Sequence, residues 1–507
     1  MMKKVLYIQP FALDYYDDQK KLGNLLLIWP VYLDNYLKSK INNLHSELLY
    51  LPVERKIGKI DINSFKEKER FFSQMNNLIS NTQLEIDEYT YICISGTTSY
   101  YYLSVKLIAE YFQENFPSAI IIFGGVHALA SPQDFNYPNS PVDYAIIGEG
   151  ETVLYRIIKQ SYKKQENLKI ITGRPIQNLD ILPPLDLSLL DKYIDFFNDL
   201  SICLSRGCPF DCSFCMERNI ATFTKNLKLW RTYSPKRAIR ETKTMINYGI
   251  KFKIKNFGFV DPTFGVNKEW LNKFLKLWNF DKHIEGAWIE TRFDVLNKEL
   301  IKCLKKKKFF LWYGLESCSK KMLKIMNKHL EPEKFIAKFE KIFKIHKELD
   351  FLAMLNVIFN HPGETKETCY ESFNKLKNIV EQDKNNNLLF SLRYYHHFPG
   401  TKVFNNFNYY NLKYGALAYF PNWWKKEELL KCGPYMVKAS NSLELKELIE
   451  IYTSFYKELS ITNINNLRQY KPNDFLARTI AFKKNVKSFE RLGTILLNFI
   501  ETYKLEN

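Results

Sequence analysis

The feature that most constrains this 507-residue chain is a cysteine triplet, Cys208-x₃-Cys212-x₂-Cys215, in the segment SRGCPFDCSFC at residues 205–215. Three thiolates within eight residues can each bind one iron of a [4Fe–4S] cluster, and the fourth iron then has no protein ligand. Ferredoxin-type runs supply a fourth cysteine, and zinc sites close their four ligands with further cysteines or histidines. Neither completion accompanies this triplet. The spacing therefore predicts a loop that offers an open iron for chemistry, with a closed zinc or disulfide site as the alternative.

The size and composition of the chain predict two or three domains, because 507 residues exceed what one hydrophobic core organises. Apolar residues make up 46% of the chain and aromatic residues 15%, which is enough to fill large cores. The net charge of +18 can attract an acidic substrate, a nucleic acid or a leader peptide. The lysines are spread along predicted helices, however, which argues against a dedicated nucleic-acid surface.

The chain contains no apolar run of the length that a membrane span needs. Its first residues, MMKK followed by VLYI, are typical of an opening β-strand and not of a signal peptide. We therefore expect a cytoplasmic protein. Nine cysteines in a reducing compartment fit a metal cluster better than a disulfide framework.

Residues 1–170 alternate short β-rich runs with longer amphipathic stretches. Such alternation predicts an α/β domain with a parallel, doubly wound, Rossmann-like sheet. A helix is predicted at Leu103–Phe116, between the third and fourth strands. The predicted strands are Lys4–Gln9, Ser46–Leu51, Thr90–Ser95, Ala119–Gly124 and Tyr144–Ile147.

Glycines and small hydroxyl residues follow the last three of these strands. Ligands of doubly wound sheets bind at the carboxyl ends of the strands, where glycine lets the backbone approach a bulky cofactor. Tight turns are the alternative explanation for the glycines. The residues that we predict to contact a cofactor are Ser95, Thr97, Thr98, Gly124, Gly125, His127, Gly148, Glu149 and Gly150.

A second alternation of strands and helices covers residues 198–401, after a proline-containing linker at 171–197. The cysteine triplet follows its first strand, as expected for chemistry at the carboxyl ends of barrel strands. Residues 402–507 are predicted to form a helical cap, with helices at Leu443–Leu459 and Ser488–Tyr503. The predicted barrel elements are strands at Leu200–Leu204, Asn256–Val260, Ala287–Thr291, Phe309–Tyr313, Met354–Phe359 and Leu388–Tyr394, and helices at Pro235–Tyr248 and Glu364–Val380.

The triplet and the six strand–helix repeats resemble the radical S-adenosylmethionine superfamily. The resemblance implies a partial (β/α)₆ barrel in which Cys208, Cys212 and Cys215 bind a [4Fe–4S] cluster. It also implies that S-adenosylmethionine binds the open iron through its amino and carboxylate groups and is cleaved reductively to a 5′-deoxyadenosyl radical. An external electron donor such as flavodoxin or ferredoxin is the implied partner.

Residues at the ends of the predicted barrel strands are candidates for binding S-adenosylmethionine. Asp261 is expected at its amino group or as a helix cap, and Phe214 beside its adenine or against the barrel wall. Glu290 and Arg292, two apart on a strand, are expected on one face as cofactor ligands or as an ion pair. The remaining candidates are Glu316 for ribose hydroxyls, Gly363 near adenine, and Tyr394, Tyr395 and His396 as substrate contacts or proton donors.

Two further segments resemble the cobalamin-binding domain that precedes many radical S-adenosylmethionine barrels, Gly-Gly-x-His at 124–127 and Gly-Glu-Gly-Glu at 148–151. In the linker, Leu-Asp-x-Leu-Pro at 179–183 resembles the signature that precedes the cluster motif in that family, which supports a domain boundary there. The chain departs from that family in one respect, because residues 1–170 lack the Asp-x-His-x-x-Gly motif that such domains carry early in their sequence. The resemblance thus implies cobalamin without a histidine from that motif on the lower face of cobalt. The alternative is a domain that has lost the cofactor and only shapes the substrate pocket.

Together the two resemblances imply a cobalamin-dependent methyltransferase that acts on an unactivated carbon through a 5′-deoxyadenosyl radical and methylcobalamin. A small molecule or a peptide is the implied substrate. The alternatives are a non-methylating radical enzyme that performs cyclisation, ring contraction or oxidation, an RNA-modifying radical enzyme, and a non-catalytic iron–sulfur redox protein.

Overall fold

A computed structural model describes residues 2–13, 28–217, 228–382, 387–430, 437–455 and 458. The chain forms two compact units, each discontinuous in sequence. Unit 1 consists of Met1–Phe197, Asn219–Lys228 and Asn422–Lys431. Unit 2 consists of Asn198–Arg218, Leu229–Pro421 and Cys432–Asn507.

Unit 1 is built on a six-stranded parallel sheet with the order β2-β1-β3-β4-β5-β6. The central strand β3 consists of six consecutive buried residues. Such continuous burial is expected for a parallel sheet that is covered on both faces. The five strands predicted from the sequence are present, and a sixth strand, β6, was not predicted. The strands are β1 Lys3–Gln9, β2 Leu44–Tyr50, β3 Thr90–Ser95, β4 Ile120–Gly124, β5 Tyr144–Gly148 and β6 Lys169–Gly173.

Helices connect the parallel strands of unit 1, since parallel neighbours need crossover connections. In the helix after β5, Val153, Leu154, Ile157 and Ile158 are buried at helical spacing and form one apolar face. The helices are α1 Trp29–Lys38, α2 Leu51–Lys56, α3 Lys68–Ser80, α4 Tyr102–Asn115, α5 Val126–Ala130 and α6 Glu151–Lys159.

The segment Asn422–Lys431 joins unit 1 through the buried carboxylate of Asp134. The indole Nε1–H of Trp424 donates to Asp134 Oδ2 at 2.6 Å, and Lys425 Nζ lies 2.7 Å from Oδ1. His127 Nε2 lies 3.2 Å from the same carboxylate. Burial alone would raise the pKa of Asp134, but His127 and Lys425 lower it overall. A charged, well-satisfied carboxylate therefore fixes this late segment to the amino-terminal sheet.

Unit 2 is built on a second parallel sheet of six strands, with the order β14-β13-β12-β11-β10-β7. After β7, each strand pairs with the one before it in sequence among these six, which is the arrangement of an open (β/α)₆ barrel. The predicted α/β fold with two parallel sheets is confirmed. The strands are β7 Asp199–Ile202, β10 Asn256–Phe259, β11 Gly286–Thr291, β12 Phe309–Glu316, β13 Ala353–Phe359 and β14 Leu388–Tyr394. Two pairs of two-residue strands are also present. In the first, β8 Ser205–Arg206 pairs with β9 Arg231–Thr232, and in the second, β15 Leu417–Ala418 pairs with β16 Val437–Lys438.

Five of the helices that connect these strands are each preceded by a residue whose side chain accepts a hydrogen bond from a backbone N–H of the first helical turn. Ser234, Asn267, Asn297, Ser319 and Thr365 each accept a backbone N–H as helix caps. The helices are α7 Pro235–Lys251, α8 Lys268–Leu277, α9 Lys298–Lys306, α10 Lys320–Ile325, α11 Pro332–Glu348, α12 Lys366–Glu381, α13 Lys402–Asn405, α14 Phe407–Tyr414 and, in unit 1, α15 Glu427–Leu430.

The predicted carboxyl-terminal helices are described only in part. Residues 445–455 are helical, in agreement with the helix predicted at Leu443–Leu459. The helix predicted at Ser488–Tyr503 lies outside the described residues. Within the described ranges, none of the helices is both long enough and apolar enough to cross a membrane.

The Asp134 contacts generate a stability prediction. Asp134→Asn keeps the side-chain size but removes the charge that Lys425 and Trp424 contact. We expect the free energy of unfolding to fall by about 2 to 4 kcal/mol, because hydrogen bonds to a buried charge are worth more than neutral ones. Chemical denaturation at neutral pH measures the change. Tyr111→Phe is the control, since it removes a neutral hydrogen bond to Asn76 of 2.7 Å in the same unit; an equal loss in both variants would contradict the proposed contribution of the charge.

Candidate functional site

The cysteine triplet lies on a loop that leaves the carboxyl end of β7. The loop begins as the short strand β8, which pairs antiparallel with β9. Gly207 then adopts a positive φ of 80°, and a Cβ at this position would collide with the carbonyl of Leu229. Glycine is therefore required where the chain turns into the triplet.

Asp261, at the end of β10, anchors the start of this loop. Its carboxylate accepts the backbone N–H of Leu204 at 3.2 Å and the hydroxyl of Ser205. Burial raises the pKa of Asp261 to about 7. The alternative of a helix cap does not hold, because Asn267 caps α8 itself. The predicted contact with the amino group of S-adenosylmethionine stays a prediction.

The three cysteines of the loop lie close enough to influence one another. Cys208 and Cys212 are 8% and 9% exposed, and Cys215 is half-buried. Burial, with smaller contributions from the charges of Cys212 and Cys208, raises the pKa of Cys215 to about 12. In the part of the chain that the structure describes, no three His, Cys, Asp or Glu side chains are placed so that they could hold one metal ion. A cubane cluster instead takes one thiolate at each of three separate irons, so this donor set fits three corners of a [4Fe–4S] cluster.

The carboxyl-terminal half of the loop is held by the turn after α10. Ser213 donates its backbone N–H to the carbonyl of Met326 at 2.9 Å. Asn327 Nδ2 donates to the carbonyl of Asp211 at 2.7 Å, and Lys402 pairs with the carboxylate of Asp211. Backbone and side-chain contacts from distant segments thus fix the residues between Cys208 and Cys215.

Two buried cations lie beside the same loop. The guanidinium of Arg292 stacks 3.9 Å from the ring centroid of Phe210 and pairs with Asp294 at 2.7 Å. It also donates to the carbonyl of Lys328 at 3.1 Å. The ammonium of Lys328 in turn pairs with Glu316 at 3.1 Å. The predicted Glu290–Arg292 ion pair is absent from the described residues, because the strand ends at Thr291 and Arg292 turns to Asp294.

These cations act on the cysteines electrostatically. Burial raises the pKa of Cys212, whereas Lys328 and then Arg292 lower it, and Glu316 raises it by less. Glu316 itself has a positive φ of 69°, at a register shift in the β12–β13 pairing. This local departure from regular strand geometry brings its carboxylate to Lys328.

A cavity of about 450 Å³ lies at the carboxyl end of the unit 2 strands. It brings together six residues predicted from the sequence and five that were not. The predicted ones are Phe214, Glu290, Glu316, Tyr394, Tyr395 and His396. The others are Trp312, Asn356, Ile358, Arg393 and Phe398.

Glu290 offers the cavity a carboxylate. Its side chain is solvent-accessible within the cavity, yet the surrounding walls desolvate it and raise its pKa. The charge of Glu316 raises that pKa further, and Arg393 lowers it. A positively charged ligand group placed here would neutralise a carboxylate that the described residues leave without an ion pair.

The aromatic run that ends β14 contributes little acid chemistry at neutral pH. Burial lowers the pKa of His396 to about 4, so its imidazole is neutral at pH 7 and no imidazolium is available there as a proton donor. Tyr395 lies 3.1 Å from His397 Nδ1 through its hydroxyl. The ring of Tyr394 packs on Tyr452 at a centroid distance of 4.0 Å.

Three of the predicted S-adenosylmethionine contacts, Asp261, Gly363 and Arg292, lie outside the cavity lining. Gly363 has a positive φ of 96° and packs near Ile325 and Tyr414. Its N–H donates to the carbonyl of Ala439 at 2.8 Å. Arg292 is buried beside Phe210, as described above. Their predicted roles stay predictions.

In unit 1, the three predicted cofactor turns lie on neighbouring strands β3, β4 and β5. The turns after β3 and β4 are joined, since the N–H of Gly96 donates to the carbonyl of Gly124 at 2.9 Å. Gly125 and Gly148 both have a φ of 93°, and a Cβ on either would approach neighbouring backbone within 3 Å. The side chain of Glu149 accepts the N–H of Ile176 at 2.8 Å. Ser95, Thr97, Thr98 and Gly150 are on the same edge.

His127 is part of the core in the structure. It is 0% exposed, with Nδ1 lying 2.9 Å from Ser99 Oγ and Nε2 lying 3.2 Å from Asp134. Burial lowers its pKa. The predicted cobalamin contact of His127 stays a prediction, and in this conformation its ring is closed off from any ligand.

Sequence reasoning missed several residues that organise the site. Lys328, Asp294 and Asn327 follow strands or helices by several residues and belong to no motif, so the sequence carries no local signal for them. A partial signal exists for Thr263, which lies two residues after Asp261 and contacts Cys208 Sγ at 3.3 Å through its hydroxyl.

Asp261 gives a pH prediction with a defined sign. The pKa of Asp261 is about 7 in the folded protein, above its value of about 3.9 in the unfolded chain. The stabilisation that this difference gives the folded state is therefore complete below pH 4, and it is lost as the pH rises through 7. Asp261→Asn should therefore flatten the decrease in unfolding free energy between pH 5 and pH 8 relative to the wild type. Chemical denaturation across that range measures it. Asp87→Asn is the control, because the pKa of Asp87 is lowered by Lys4 and its contribution is lost at acid pH instead; an unchanged slope in Asp261→Asn would contradict the prediction.

Comparison with known proteins places the barrel in a family. Residues 202–376 match the radical SAM superfamily. The chain is 29% identical over 297 residues to an uncharacterized methyltransferase of Pyrococcus horikoshii, covering 54% of this chain and 61% of that protein. It is 24% identical to bacteriochlorophyllide d C-8(2)-methyltransferase of Chlorobaculum tepidum, covering 73% of this chain and 80% of the other. It is 26% identical to the anaerobic magnesium-protoporphyrin IX monomethyl ester cyclase of Cereibacter sphaeroides, and that match covers 51% of this chain and 44% of the cyclase.

A solved structure shares the fold over most of the chain. The radical S-adenosylmethionine methyltransferase TsrM of Kitasatospora setae, a structure with cobalamin and a [4Fe–4S] cluster bound, superimposes with a TM-score of 0.55. The sequence identity is 14%, and the match covers 80% of this chain and 77% of TsrM. The superfamily predicted from the cysteine triplet is confirmed: residues 202–376 form a radical S-adenosylmethionine domain, of a superfamily that uses S-adenosylmethionine with a [4Fe–4S] cluster.

Proposed function

We propose that this protein is a cobalamin-dependent radical S-adenosylmethionine methyltransferase that methylates an unactivated carbon. The observation that carries the proposal is the cysteine loop, which the barrel holds in place at the carboxyl end of β7, with Phe214 from that loop lining the cavity. The similarity to proteins named as methyltransferases supports the transferred group. The proposed domains are residues 1–170 for cobalamin, 171–197 as a linker, 198–401 as the barrel and 402–507 as a cap, although residues 171–197 and Asn422–Lys431 belong to unit 1.

When bound, the cluster and cobalamin would supply the electron that cleaves S-adenosylmethionine and the methyl group that is transferred. Cys208, Cys212 and Cys215 would hold the cluster. An external reductant such as flavodoxin or ferredoxin is part of the proposal. The protein's own task is to position the reacting atoms and to exclude water.

The cavity residues are suited to orient S-adenosylmethionine and substrate. Glu290 provides a carboxylate for a cationic or hydroxyl group, and Phe214 provides an aromatic face for a planar ring. Tyr394, Tyr395 and His396 form the opposite aromatic wall. Because His396 is neutral at pH 7, we assign this wall to substrate contact.

The edge of the unit 1 sheet is the proposed cobalamin site. Gly124, Gly125, Gly148 and Gly150 lie at the ends of neighbouring strands. The turns themselves require Gly125 and Gly148, whereas Gly124 has open space that suits close approach of a large planar cofactor. TsrM, which shares this fold, is described with cobalamin bound. Since His127 is enclosed by Ser99 and Asp134, we propose that it does not ligate cobalt.

A second function is favoured by one observation. The chain is also similar to anaerobic magnesium-protoporphyrin IX monomethyl ester cyclases, so a non-methylating radical reaction such as cyclisation is the rival. The two functions differ in their by-products. A methyltransferase forms S-adenosylhomocysteine as well as 5′-deoxyadenosine, whereas a cyclase forms no S-adenosylhomocysteine.

The cluster assignment is tested by replacing each triplet cysteine with alanine. Cys208→Ala, Cys212→Ala and Cys215→Ala should lose the broad visible absorption of the cluster after anaerobic reconstitution, because each removes the ligand of one iron. Iron content and the absorption spectrum measure the loss. Cys303→Ala is the matched control, since Cys303 is a half-buried free cysteine on α9. Full iron content in any triplet variant would refute its assignment.

Methyl transfer is tested with S-adenosylmethionine that carries a deuterated methyl group. Reduced holoprotein with hydroxocobalamin should release both 5′-deoxyadenosine and S-adenosylhomocysteine, and candidate substrates should gain the labelled methyl group by mass spectrometry. A product formed without the label, together with 5′-deoxyadenosine alone, would instead support the cyclase. A bound cluster that yields no 5′-deoxyadenosine would leave a redox protein.

Cobalamin binding is tested by its visible spectrum after reconstitution. We expect a spectrum without a nitrogen ligand from the protein on the lower face of cobalt, and we expect it to be identical in His127→Ala. Gly125→Val should weaken binding strongly, because a side chain there meets Ser95 Oγ and the carbonyl of Gly96. A spectrum that changes in His127→Ala toward loss of a nitrogen ligand would contradict the assignment of His127 to the core.

A further inference from the structure

The inference concerns how the protein controls reduction of the cluster, and it rests on the three-cysteine assignment proposed above. A [4Fe–4S] cluster held by three thiolates has a net negative charge, and reduction adds one more negative charge at the same place. The reduction potential of such a cluster is set by nearby charges, hydrogen bonds and solvent exposure. Any buried cation near the thiolates therefore favours the reduced state.

The structure places two such cations beside one limb of the loop. Arg292 contacts the loop directly, with its guanidinium 3.9 Å from the ring centroid of Phe210, between Cys208 and Cys212. Its side chain is 5% exposed, and that of Lys328 is also 5% exposed. Charges in such desolvated positions act over longer distances than surface charges do.

The two cations form one connected unit. Arg292 donates to the backbone carbonyl of Lys328, and the two side chains end in separate ion pairs with Asp294 and Glu316. The carboxylates keep the buried cations satisfied. The guanidinium of Arg292 nonetheless stays in direct contact with the cysteine loop, where it stacks on Phe210.

We propose that Arg292 and Lys328 are positioning residues that raise the reduction potential of the cluster. They also hold in place the segment between Cys208 and Cys212, to which the cluster binds. In this arrangement the protein sets the energy of the first electron transfer before S-adenosylmethionine or substrate is present. Glu316 is the opposing element, and its carboxylate lowers the potential. The sign of each effect follows from the charge alone.

The test is an anaerobic redox titration, followed by electron paramagnetic resonance, of holoprotein without S-adenosylmethionine or substrate. Arg292→Gln and Lys328→Gln should each make one-electron reduction about tenfold less favourable, which is a shift of about 59 mV to more negative potential. Glu316→Gln should shift the potential in the opposite direction. Arg292→Lys should stay near the wild type, because it keeps the charge.

Arg237→Gln is the matched control. Arg237 and Glu241 form a buried ion pair of 2.5 Å on α7, and neither residue is part of the contacts with the cysteine loop described above. Loss of the charge of Arg237 should leave the reduction potential of the cluster unchanged. All comparisons are made at equal iron and sulfide content, so that loss of cluster is not mistaken for a change in potential.

The result that overturns the inference is a wild-type potential in Arg292→Gln and Lys328→Gln, or a shift of equal sign in Glu316→Gln. If Arg292→Gln fails to fold, Lys328→Gln and Glu316→Gln decide the outcome through their opposite signs. A wild-type protein that binds no cluster refutes both the inference and the cluster assignment. Failure to transfer a methyl group while these shifts are observed refutes only the proposed function.

Discussion

The arrangement of unit 2 depends on the hydrogen bonds that Asp261 accepts from Leu204 and Ser205. A loop that carries three cluster ligands must be ordered before the ligands can meet one cofactor, and ordering each backbone residue costs about 1 to 2 kcal/mol. Asp261 fixes the loop where it leaves β7, and Met326 and Asn327 fix it again before Cys215. The barrel therefore meets much of the ordering cost during folding, and less remains for cofactor binding.

Charge is distributed unevenly around this loop. Cations lie against its Cys208–Cys212 limb, where Arg292 stacks on Phe210. Carboxylates lie toward the cavity, where burial raises the pKa of Glu290. A negatively charged cluster and a ligand with cationic groups, such as S-adenosylmethionine, are complementary to these two regions. Under the proposed function, the first region would favour electron uptake and the second would favour a sulfonium and an ammonium group.

The regular elements were predictable because their signals are local. All six barrel strands were predicted within three residues at either end, since each is a short apolar run bounded by a helix pattern. The strand β6 was missed because it lies at the sheet edge, and its residues are mostly exposed and carry no apolar run. The cysteine triplet was predictable for a different reason, since its spacing is a local motif that is typical of a loop with three cluster ligands.

The side-chain partners of the site were less predictable, because they depend on tertiary contacts. Asp261 was identified as important, but its hydrogen bonds to Leu204 and Ser205 join residues more than fifty positions apart. Arg292 was expected to share a face with Glu290, but the strand ends between them and the side chain turns to Asp294. Strand periodicity specifies a direction only while the strand continues.

The discontinuity of unit 1 has a consequence for folding. Asp134 is buried at 6% exposure, and two of its three partners come from residues 424 and 425. Residues 1–197 alone would retain His127 but leave this carboxylate without Trp424 and Lys425, and a buried charge without partners is strongly destabilising. Unit 1 therefore needs a contact across nearly three hundred residues to complete its core. Loop-closure entropy makes such long-range contacts slow to form, and the contacts of Asp134 with Trp424 and Lys425 can form only after the chain between these residues has been made.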